Sequence, residues 1–317
     1  MNSRHIGIIG CGLIGRSWSI AFARGGYNVR LYDPVRGTAD HALVLIGEAA
    51  NGMHKLDLLH GLSVSEILKS IKTVGSLSEV VQQASFVQEN SPESADTKIK
   101  LFTELDTLIA DDTIIASSTS AILPSVFTSH VRYKERCLVV HPLNPPHLIR
   151  AVEIVPSPWT SSETLEKTRL LMVEIGQRPI LLKKEIDGFV MNRLQGALLE
   201  ECFRLVDADI ASADDIDACV RDGLALRWSF MGPFETIDLN APAGIADYVE
   251  RYQAGFERQF KTQTTRVDWS GPVLKQVSTS RRALVPLDDL AKRQAWRDAR
   301  LMDLVAHQRK ANKLLGE

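Results

Sequence analysis

The sequence lacks the features that mark several classes of protein. It has four cysteines among 317 residues, with no C-x-x-C pair and no metal-ligand spacing to a histidine. We therefore expect no metal site, and we interpret the cysteines as small buried residues rather than disulfides. No apolar run reaches the roughly 18 residues that a membrane-spanning helix requires. The cysteines are Cys11, Cys137, Cys202 and Cys219.

An excess of charge of either sign is also absent. Lysine and arginine total 37, aspartate and glutamate total 39, and the formal net charge is -2. This balance gives no electrostatic reason to expect a nucleic acid or an anionic membrane as partner. The N-terminus leads directly into an apolar strand pattern without the charged and apolar regions of a secretory signal, so we expect a cytoplasmic protein.

Short apolar runs alternate with helical patterns through the first half of the chain. This alternation is typical of a parallel sheet covered by helices on both faces. The clearest helices are predicted over residues 13–24 and 97–110, where apolar residues recur at spacings of three and four. Strands are predicted over residues 6–9, 29–32, 86–88, 113–116, 138–141, 152–155 and 180–182.

The pattern changes near residue 185, where the strand-like runs stop. Only helical patterns follow, and they are predicted over residues 189–206, 212–222, 243–260 and 287–315. The predicted fold class is therefore α/β, with a Rossmann-type doubly wound sheet over residues 1–184. An all-α C-terminal domain is predicted over residues 185–317.

A glycine motif follows the first predicted strand. The run Gly10-Cys11-Gly12-Leu13-Ile14-Gly15 matches G-x-G-x-x-G, with a strand before it and an amphipathic helix after it. In a dinucleotide site the first glycine allows the tight turn, the second lets the pyrophosphate approach the backbone, and the third lets helix pack on strand. We expect Gly10, Gly12, Leu13, Ile14 and Gly15 to bind the cofactor; a simple strand-turn-helix is the alternative.

Asp33 ends the second predicted strand and points to the identity of the cofactor. A carboxylate at this position accepts hydrogen bonds from the adenosine ribose hydroxyls and repels a 2′-phosphate, which favours NAD over NADP. Arg36 keeps the alternative open, since an arginine near that edge can bind a phosphate; it is otherwise a solvated loop charge.

His141 is the candidate general base. Oxidation of an alcohol requires a group that accepts the hydroxyl proton, and histidine suits this role near neutral pH. His141 ends an apolar strand and precedes a proline-rich turn, and ligands bind beyond strand C-termini in open α/β sheets. A histidine that caps the strand for structural reasons is the alternative. The other seven histidines are interpreted as surface groups.

Several separated motifs resemble the 3-hydroxyacyl-CoA dehydrogenase superfamily, and the likeness covers nearly the whole chain. Within the superfamily the sequence is most similar to the lambda-crystallin / L-gulonate 3-dehydrogenase branch. Beside the glycine motif, the superfamily motifs are Ser117-Ser118-Thr119-Ser120, His141-Pro142-Leu143-Asn144-Pro145, Val152-Glu153, Gly188-Phe189-Val190-Met191-Asn192-Arg193 and Met231-Gly232-Pro233-Phe234-Glu235. The branch match includes Ile14-Gly15-Arg16-Ser17-Trp18, Gln88-Glu89, Leu239-Asn240-Ala241 and Trp296-Arg297-Asp298.

The resemblance implies roles for individual residues. His141 matches the catalytic base, and Glu153 matches the acid paired with it, which would orient the imidazole and stabilise the imidazolium. Ser120 matches the serine that hydrogen-bonds the substrate hydroxyl, and Asn192 the asparagine that orients the substrate. Each residue also has a structural alternative, such as a turn, a strand edge or a helix start.

Glu93 and Lys98 match positions that contact the nicotinamide side of the cofactor. A solvated helix charge is the alternative for Lys98. Arg227 is a candidate for binding the substrate carboxylate, since a guanidinium can form two parallel hydrogen bonds to it.

The expected activity is NAD-dependent oxidation of the 3-hydroxyl of a small, L-gulonate-like 3-hydroxy acid. Residues 226–232 also resemble L-carnitine dehydrogenases, so a carnitine or 3-hydroxyacyl-CoA substrate stays an alternative. A non-catalytic, crystallin-like NAD-binding protein is a third possibility. The resemblance further implies a homodimer through the C-terminal helices, and the apolar residues Leu194, Leu198, Leu199 and Phe203 agree with it.

The carboxylate of Asp33 predicts the cofactor preference. We expect kcat/KM with NAD to exceed that with NADP by at least about tenfold, about 1.4 kcal/mol, because Asp33 repels the 2′-phosphate. Asp33→Ser is expected to lower the ratio of kcat/KM with NAD to kcat/KM with NADP, chiefly by weakening the interaction with NAD. Steady-state kinetics with both cofactors measure this ratio, and equal values of kcat/KM in the wild type would contradict the role of Asp33.

Overall fold

Eight strands form a single sheet in the structure, a computed structural model that describes residues 4–316. The strands are β1 (His5–Ile9), β2 (Asn28–Tyr32), β3 (Ile71–Thr73), β4 (Ala84–Glu89), β5 (Ile114–Ser117), β6 (Cys137–Pro142), β7 (Ala151–Pro156) and β8 (Arg178–Leu181). Their spatial order is β3-β2-β1-β4-β5-β6-β7-β8. All the predicted strands are therefore confirmed. The three-residue edge strand β3 was not predicted, because its short polar sequence carries little periodic signal.

The sheet is parallel except at one pair of strands. β7 runs antiparallel to β6, and His141 lies directly opposite Glu153 in their register. This pair is the one exception in the parallel sheet that the sequence pattern predicts. Residues 143–150 connect the two strands without a helix, and a parallel pair would need a crossover of about a dozen residues or more. This short connection brings two chemically important residues side by side.

Helices cover both faces of the sheet. They are α1 (Leu13–Arg24), α2 (Thr38–Lys55), α3 (Val64–Lys69), α4 (Leu77–Val81), α5 (Ala95–Leu108), α6 (Pro124–Thr128) and α7 (Ser162–Glu174), with a 3-10 turn at Lys134–Arg136. Neighbouring strand residues alternate between two buried clusters. Leu138 and Val140 belong to the cluster that contains Trp18 and Phe22, whereas Val139 belongs to the cluster that contains Phe102. The doubly wound sheet is thus confirmed.

The chain divides into two compact units. The first runs to Arg193 and includes Leu301–Ala306, and the second comprises Leu194–Arg300 and the chain from His307 onward. The domain boundary near residue 184 stays a prediction, and residues 1–3 and 317 of the predicted domains lie outside the described residues. The later helical elements are α8 (Met191–Asp207), α9 (Ala213–Ala218), a π-helix (Cys219–Leu224), α10 (Ala225–Trp228), α11 (Pro233–Asp238), α12 (Ile245–Phe260), α13 (Pro272–Leu284), a 3-10 turn (Leu287–Asp289) and α14 (Leu290–Leu315).

The second unit is helical throughout its described residues, as expected from the sequence. Helix α13 was missed, because Lys, Gln, Ser, Thr and Arg interrupt its apolar pattern. The buried core of the second unit is small and centres on Val206, Ile216 and Val273. Many apolar side chains stay exposed, among them Leu194 at 65% and Leu199 at 37%. Across residues 4–316, no helix has both the length and the apolar character needed to cross a bilayer.

Candidate active site

A cleft of about 330 Å³ opens at the carboxyl edge of the sheet, in the first unit. Its lining comes from the N-terminus of α1 and from the loops that follow β4, β5 and β6, as expected for an open α/β sheet. His141 lines the cleft beside Pro142 and Leu143. Hydroxyl and amide side chains supply much of the remaining lining: Asn90, Ser91, Ser118, Thr119, Ser120 and Asn144.

His141 and Glu153 form a buried pair at this cleft. The imidazole Nδ1 lies 2.8 Å from Glu153 Oε2, and the Glu153 side chain is 0% exposed. An ionised carboxylate can only accept hydrogen bonds, so Nδ1 is the donor. The proton on Nδ1 leaves Nε2 as the nitrogen that can accept a proton.

The second oxygen of Glu153 is held by the beginning of α8. Oε1 accepts hydrogen bonds from the backbone N–H of Val190 at 2.6 Å and of Met191 at 3.0 Å. The free N–H groups and the dipole at a helix N-terminus stabilise negative charge. Glu153 therefore faces a hydrogen-bonding partner at each of its two oxygens.

A backbone turn aims these N–H groups at Glu153. Gly188 has φ +74° and Phe189 has φ +48°, so both occupy the left-handed region. This conformation is unusual for an aromatic residue and costs about 1–3 kcal/mol. The Phe189 side chain is fully buried, and its ring centroid lies 5.5 Å from that of His141. The turn thus supplies both the donors for Glu153 and an apolar cover for His141.

Ser120 and Asn192 are brought together in the same unit. Asn192 Nδ2 donates a hydrogen bond to the backbone carbonyl of Ser120 at 2.6 Å. Ser120 itself lines the cleft. The Asn192 amide therefore holds the loop that carries Ser120, a contact that sequence reasoning did not anticipate.

Comparison with known proteins identifies the family. The family model for the NAD binding domain of 3-hydroxyacyl-CoA dehydrogenase matches residues 5–186, and the model for the C-terminal domain matches residues 188–276. The chain belongs to the 3-hydroxyacyl-CoA dehydrogenase family. It is an NAD-dependent dehydrogenase that acts on a CH–OH group, and its cofactor is NAD.

Individual relatives differ in their named substrates. The chain is 42% identical to a lambda-crystallin homolog of Mus musculus over 94% of each chain. It is 36% identical to an L-carnitine dehydrogenase of Pseudomonas sp, over 77% of this chain and 75% of that one. The crystal structure of a 5-formyl-3-hydroxy-2-methylpyridine 4-carboxylic acid 5-dehydrogenase, an NAD⁺-dependent dismutase, superposes with a TM-score of 0.82 at 29% identity, covering 97% of this chain and 98% of that chain. The lambda-crystallin likeness agrees with the branch expected from the sequence.

The three glycines of the motif differ in what constrains them. A Cβ at Gly15 would lie 1.9 Å from the Gly10 carbonyl oxygen, and Gly10 has φ +88° with the Asn90 carbonyl against it. Gly12 has φ -64° and ψ -171°, which any residue adopts, and a Cβ there would meet nothing within 4 Å. Neither packing nor backbone conformation requires a glycine at this position. Its open space at the N-terminus of α1, where no side chain caps the helix, fits a pyrophosphate.

Asp33 lies at the edge of the same loop. Its Oδ2 accepts the Cys11 backbone N–H at 2.9 Å and its Oδ1 accepts the Val35 N–H at 3.0 Å, which orients the carboxylate. Burial, followed by the charge of Asp33, raises the pKa of the Cys11 thiol to about 12, so the thiol stays neutral beside the phosphate site. Leu13 is exposed and Ile14 lines the cleft, whereas Arg36 is exposed in the following loop. These positions fit a bound NAD.

The two residues expected at the nicotinamide side lie in different surroundings. Glu93 lines the cleft, where its carboxylate accepts hydrogen bonds from Thr119 Oγ1 and from the Ala121 N–H. Lys98 is 1% exposed and does not line the cleft; its ammonium contacts Glu89 instead. The contact of Lys98 with the nicotinamide side of the cofactor stays a prediction.

Sequence reasoning also missed polar residues that hold the cleft together. The Ser118 hydroxyl accepts hydrogen bonds from Trp18 Nε1 at 3.0 Å and Gln88 Nε2 at 2.7 Å, and donates to Asn90 Oδ1 at 2.8 Å. Gln88 Nε2 also donates to the Val140 carbonyl at 3.1 Å. The only sequence signal was that Trp18 and Gln88 belong to the motifs of the lambda-crystallin branch.

The interpretation of the seven histidines other than His141 as surface groups is wrong for His147. It is buried, in the segment that follows the cleft-lining turn. Burial, followed by the charge of Arg24, lowers the pKa of His147 to about 4, so its imidazole is neutral. The polar local sequence concealed this burial. Arg227, the candidate for the substrate carboxylate, is exposed on α10 of the second unit, and its role stays a prediction.

The glycine geometry predicts two different defects from the same substitution. Gly12→Ala is expected to keep its melting temperature but to bind NAD at least about tenfold more weakly, because the methyl group occupies the phosphate space. Gly15→Ala is expected to lose about 1–3 kcal/mol of stability, because the backbone must shift. Thermal melts and calorimetric NAD titrations measure both, and wild-type affinity in Gly12→Ala would contradict this placement of the pyrophosphate.

Proposed function

We propose that this protein oxidises the 3-hydroxyl of a small free 3-hydroxy acid of the L-gulonate type to the 3-keto acid, with His141 as general base. The observation that carries the proposal is the buried pair of His141 Nδ1 and Glu153 Oε2, 2.8 Å apart, at a cleft that Ser120 also lines. A base must be oriented and must have a free acceptor atom, and this pair meets both requirements.

The proton transfer follows from the arrangement of the pair. His141 Nε2 accepts the hydroxyl proton, and the imidazolium that forms is stabilised by the Glu153 carboxylate. The Ser120 hydroxyl hydrogen-bonds the reacting oxygen, and Asn192 orients the substrate by holding the Ser120 loop. The chemistry that NAD supplies when bound is acceptance of the hydride from the carbon that carries the hydroxyl. Gly12 and Asp33 hold the pyrophosphate and the adenosine ribose, with Glu93 at the nicotinamide side.

The lining of the cleft supports a small hydroxylated acid as substrate. Short hydroxyl and amide side chains in the lining, such as Ser91, Thr119 and Asn144, can form hydrogen bonds with the hydroxyl groups of such a substrate. The likeness to lambda-crystallin homologs along 94% of the chain supports the same branch. Arg227, exposed on α10, is proposed to bind the substrate carboxylate.

We also propose that the protein acts as a homodimer. The helices of the second unit carry many exposed apolar side chains around a small core, including Leu194 and Leu199 on α8. Single exposed apolar residues are common, but a surface this rich in them is typical of an interface. Two copies related by a twofold axis would cover the same face on each partner.

His141→Asn tests the assignment of the base. The variant is expected to keep its NAD affinity and to lose roughly 10²- to 10⁴-fold in the rate of oxidation, since no group accepts the proton. In the wild type, kcat/KM for oxidation should fall as pH decreases, because imidazolium cannot accept a proton, and reduction should be favoured at lower pH. Wild-type turnover in the variant, with only its melting temperature reduced, would remove His141 as the base.

Glu153→Gln separates charge from shape within the pair. The glutamine Oε1 can still accept the N–H groups of Val190 and Met191, so the variant is expected to fold with a near-native melting temperature. Its amide nitrogen would face His141 Nδ1 as a donor and favour the tautomer with a proton on Nε2. Oxidation should slow by roughly 10²- to 10⁴-fold. Unchanged turnover would make Glu153 a strand residue without a role in the reaction.

A substrate panel tests the proposed substrate class. L-Gulonate, 3-hydroxybutyrate, L-carnitine and 3-hydroxybutyryl-CoA are each incubated with enzyme and NAD, and NADH absorbance is followed. We expect a free hydroxy acid to have the highest kcat/KM, by at least about tenfold, because the hydroxyl and amide side chains of the cleft can hydrogen-bond its hydroxyl groups. A preference for L-carnitine or the CoA ester would replace the proposed substrate. The absence of NADH with every compound would support a non-catalytic role instead.

A further inference from the structure

A buried glutamine links the strand of His141 to the loop that carries Ser120. Gln88, near the carboxyl end of β4, is fully buried. Its Nε2 donates one hydrogen bond to the Val140 carbonyl at 3.1 Å and another to the Ser118 hydroxyl at 2.7 Å. Val140 directly precedes His141, and Ser118 lies two residues before Ser120. A single nitrogen therefore joins the chain segments that carry both residues.

The ends of the strands explain why a side chain bonds the Val140 carbonyl. β6 extends beyond the last residue of β5 with which it is paired. The first N–H after β5, that of Ser118, donates to the Glu89 carbonyl and is not available to β6. A buried carbonyl without a donor is destabilising, and Gln88 supplies the donor that β5 does not. The neighbour of Gln88 in β5 is Ala116, whose short side chain leaves the amide room to reach β6.

The hydroxyl of Ser118 has no hydrogen-bonding capacity left for a ligand, although it lines the cleft. A serine hydroxyl donates one hydrogen bond and accepts two. Ser118 Oγ accepts from Gln88 Nε2 and, at 3.0 Å, from Trp18 Nε1 of α1. It donates to Asn90 Oδ1 at 2.8 Å. Ser118 is therefore a fixed junction that connects Gln88 to α1.

The unpaired oxygen of Gln88 indicates that the position requires an amide for its donors. Within residues 4–316, Gln88 Oε1 is buried and has no hydrogen-bond partner. The Val140 carbonyl can only accept, so it must face the amide nitrogen. An apolar side chain would fill the same space without leaving a buried acceptor unpaired, which is unfavourable. What an apolar residue could not provide is the pair of N–H bonds.

We propose that Gln88 is a positioning residue that sets the spacing between His141 and Ser120. In the proposed function these two residues act on one hydroxyl oxygen, since His141 Nε2 takes its proton and the Ser120 hydroxyl bonds it. Gln88 fixes the peptide before the base and the junction before the serine to the same nitrogen. A displacement of about 1 Å can cost about a hundredfold in rate. The proposal rests on the proposed function in taking His141 as the base.

The test is a double-mutant cycle on the rate of oxidation. Gln88→Met, which is similar in length but has no donor, is compared with the wild type, His141→Asn and the double variant. The measurements are kcat and KM on the panel compound with the highest kcat/KM, calorimetric titration with NAD, and thermal melts. Gln88→Met is expected to lose about tenfold to a hundredfold in kcat, with an NAD dissociation constant within about threefold of the wild type. In the His141→Asn background the same change is expected to cost less than about threefold, because no base is left to position.

Thr113→Val is the matched control. Thr113 is fully buried, and its hydroxyl donates to the Ala84 carbonyl at 2.7 Å, at the opposite, amino edge of the same sheet. The variant loses a buried bond from a side chain to a backbone carbonyl, as Gln88→Met does. It is expected to melt at a lower temperature and to keep the wild-type kcat, because the lost bond lies at the other end of the strands from the cleft.

Three results overturn the proposal. A wild-type kcat in Gln88→Met means that the amide only fills space. An equal loss of kcat in both backgrounds means that Gln88 acts independently of His141. Wild-type turnover in His141→Asn rejects the proposed function itself, and with it the base that Gln88 would position. If Gln88→Met fails to fold, Gln88→Asn, whose shorter amide cannot reach both Ser118 and Val140, is taken through the same cycle with the same expected losses.

Discussion

A carboxylate that is wholly removed from water is stable only where donors surround it, and Glu153 imposes this requirement on the active site. One of its oxygens faces the imidazole of His141, and the other faces two N–H groups at the start of α8. The antiparallel register of β6 and β7 provides the first contact, and the left-handed turn at Gly188 and Phe189 provides the second. Loss of either part would leave one oxygen of a buried carboxylate without its partner.

The carboxyl edge of the sheet contains a second buried carboxylate with a different kind of partner. Glu89 faces the ammonium of Lys98 and the hydroxyls of Ser91 and Ser117. Glu153 faces the imidazole of His141 and two backbone N–H groups. The two buried carboxylates thus differ in the chemical nature of their partners.

The three glycines of the G-x-G-x-x-G motif differ in whether packing requires the missing side chain. Gly10 and Gly15 approach other backbone atoms so closely that a side chain cannot fit, and they are needed by the fold itself. A Cβ at Gly12 would meet no atom within 4 Å, so the fold does not require a glycine there and the space is open to a ligand. Because the same loop also supplies the Cys11 N–H that orients Asp33, the pyrophosphate and ribose sites are set by one short segment.

Local pattern alone determined much of this protein. The order of strands and helices, the glycine motif, Asp33 and the candidate His141 can be recognised in the sequence, because hydrophobic period and motif spacing are properties of neighbouring residues. The candidates Glu153, Ser120 and Asn192 came instead from the resemblance of their motifs to the family.

Only the tertiary structure decided the direction of β7, the pairing of Lys98 with Glu89, the contact of Asn192 with the Ser120 backbone, and the burial of His147. Each of these features joins residues that are distant in the chain or depends on what covers them. A lysine on a helix has the same local sequence whether its ammonium meets water or a buried carboxylate. The difference arises only when the strands pair and the loops close over them, since burial and partner are properties of the assembled fold.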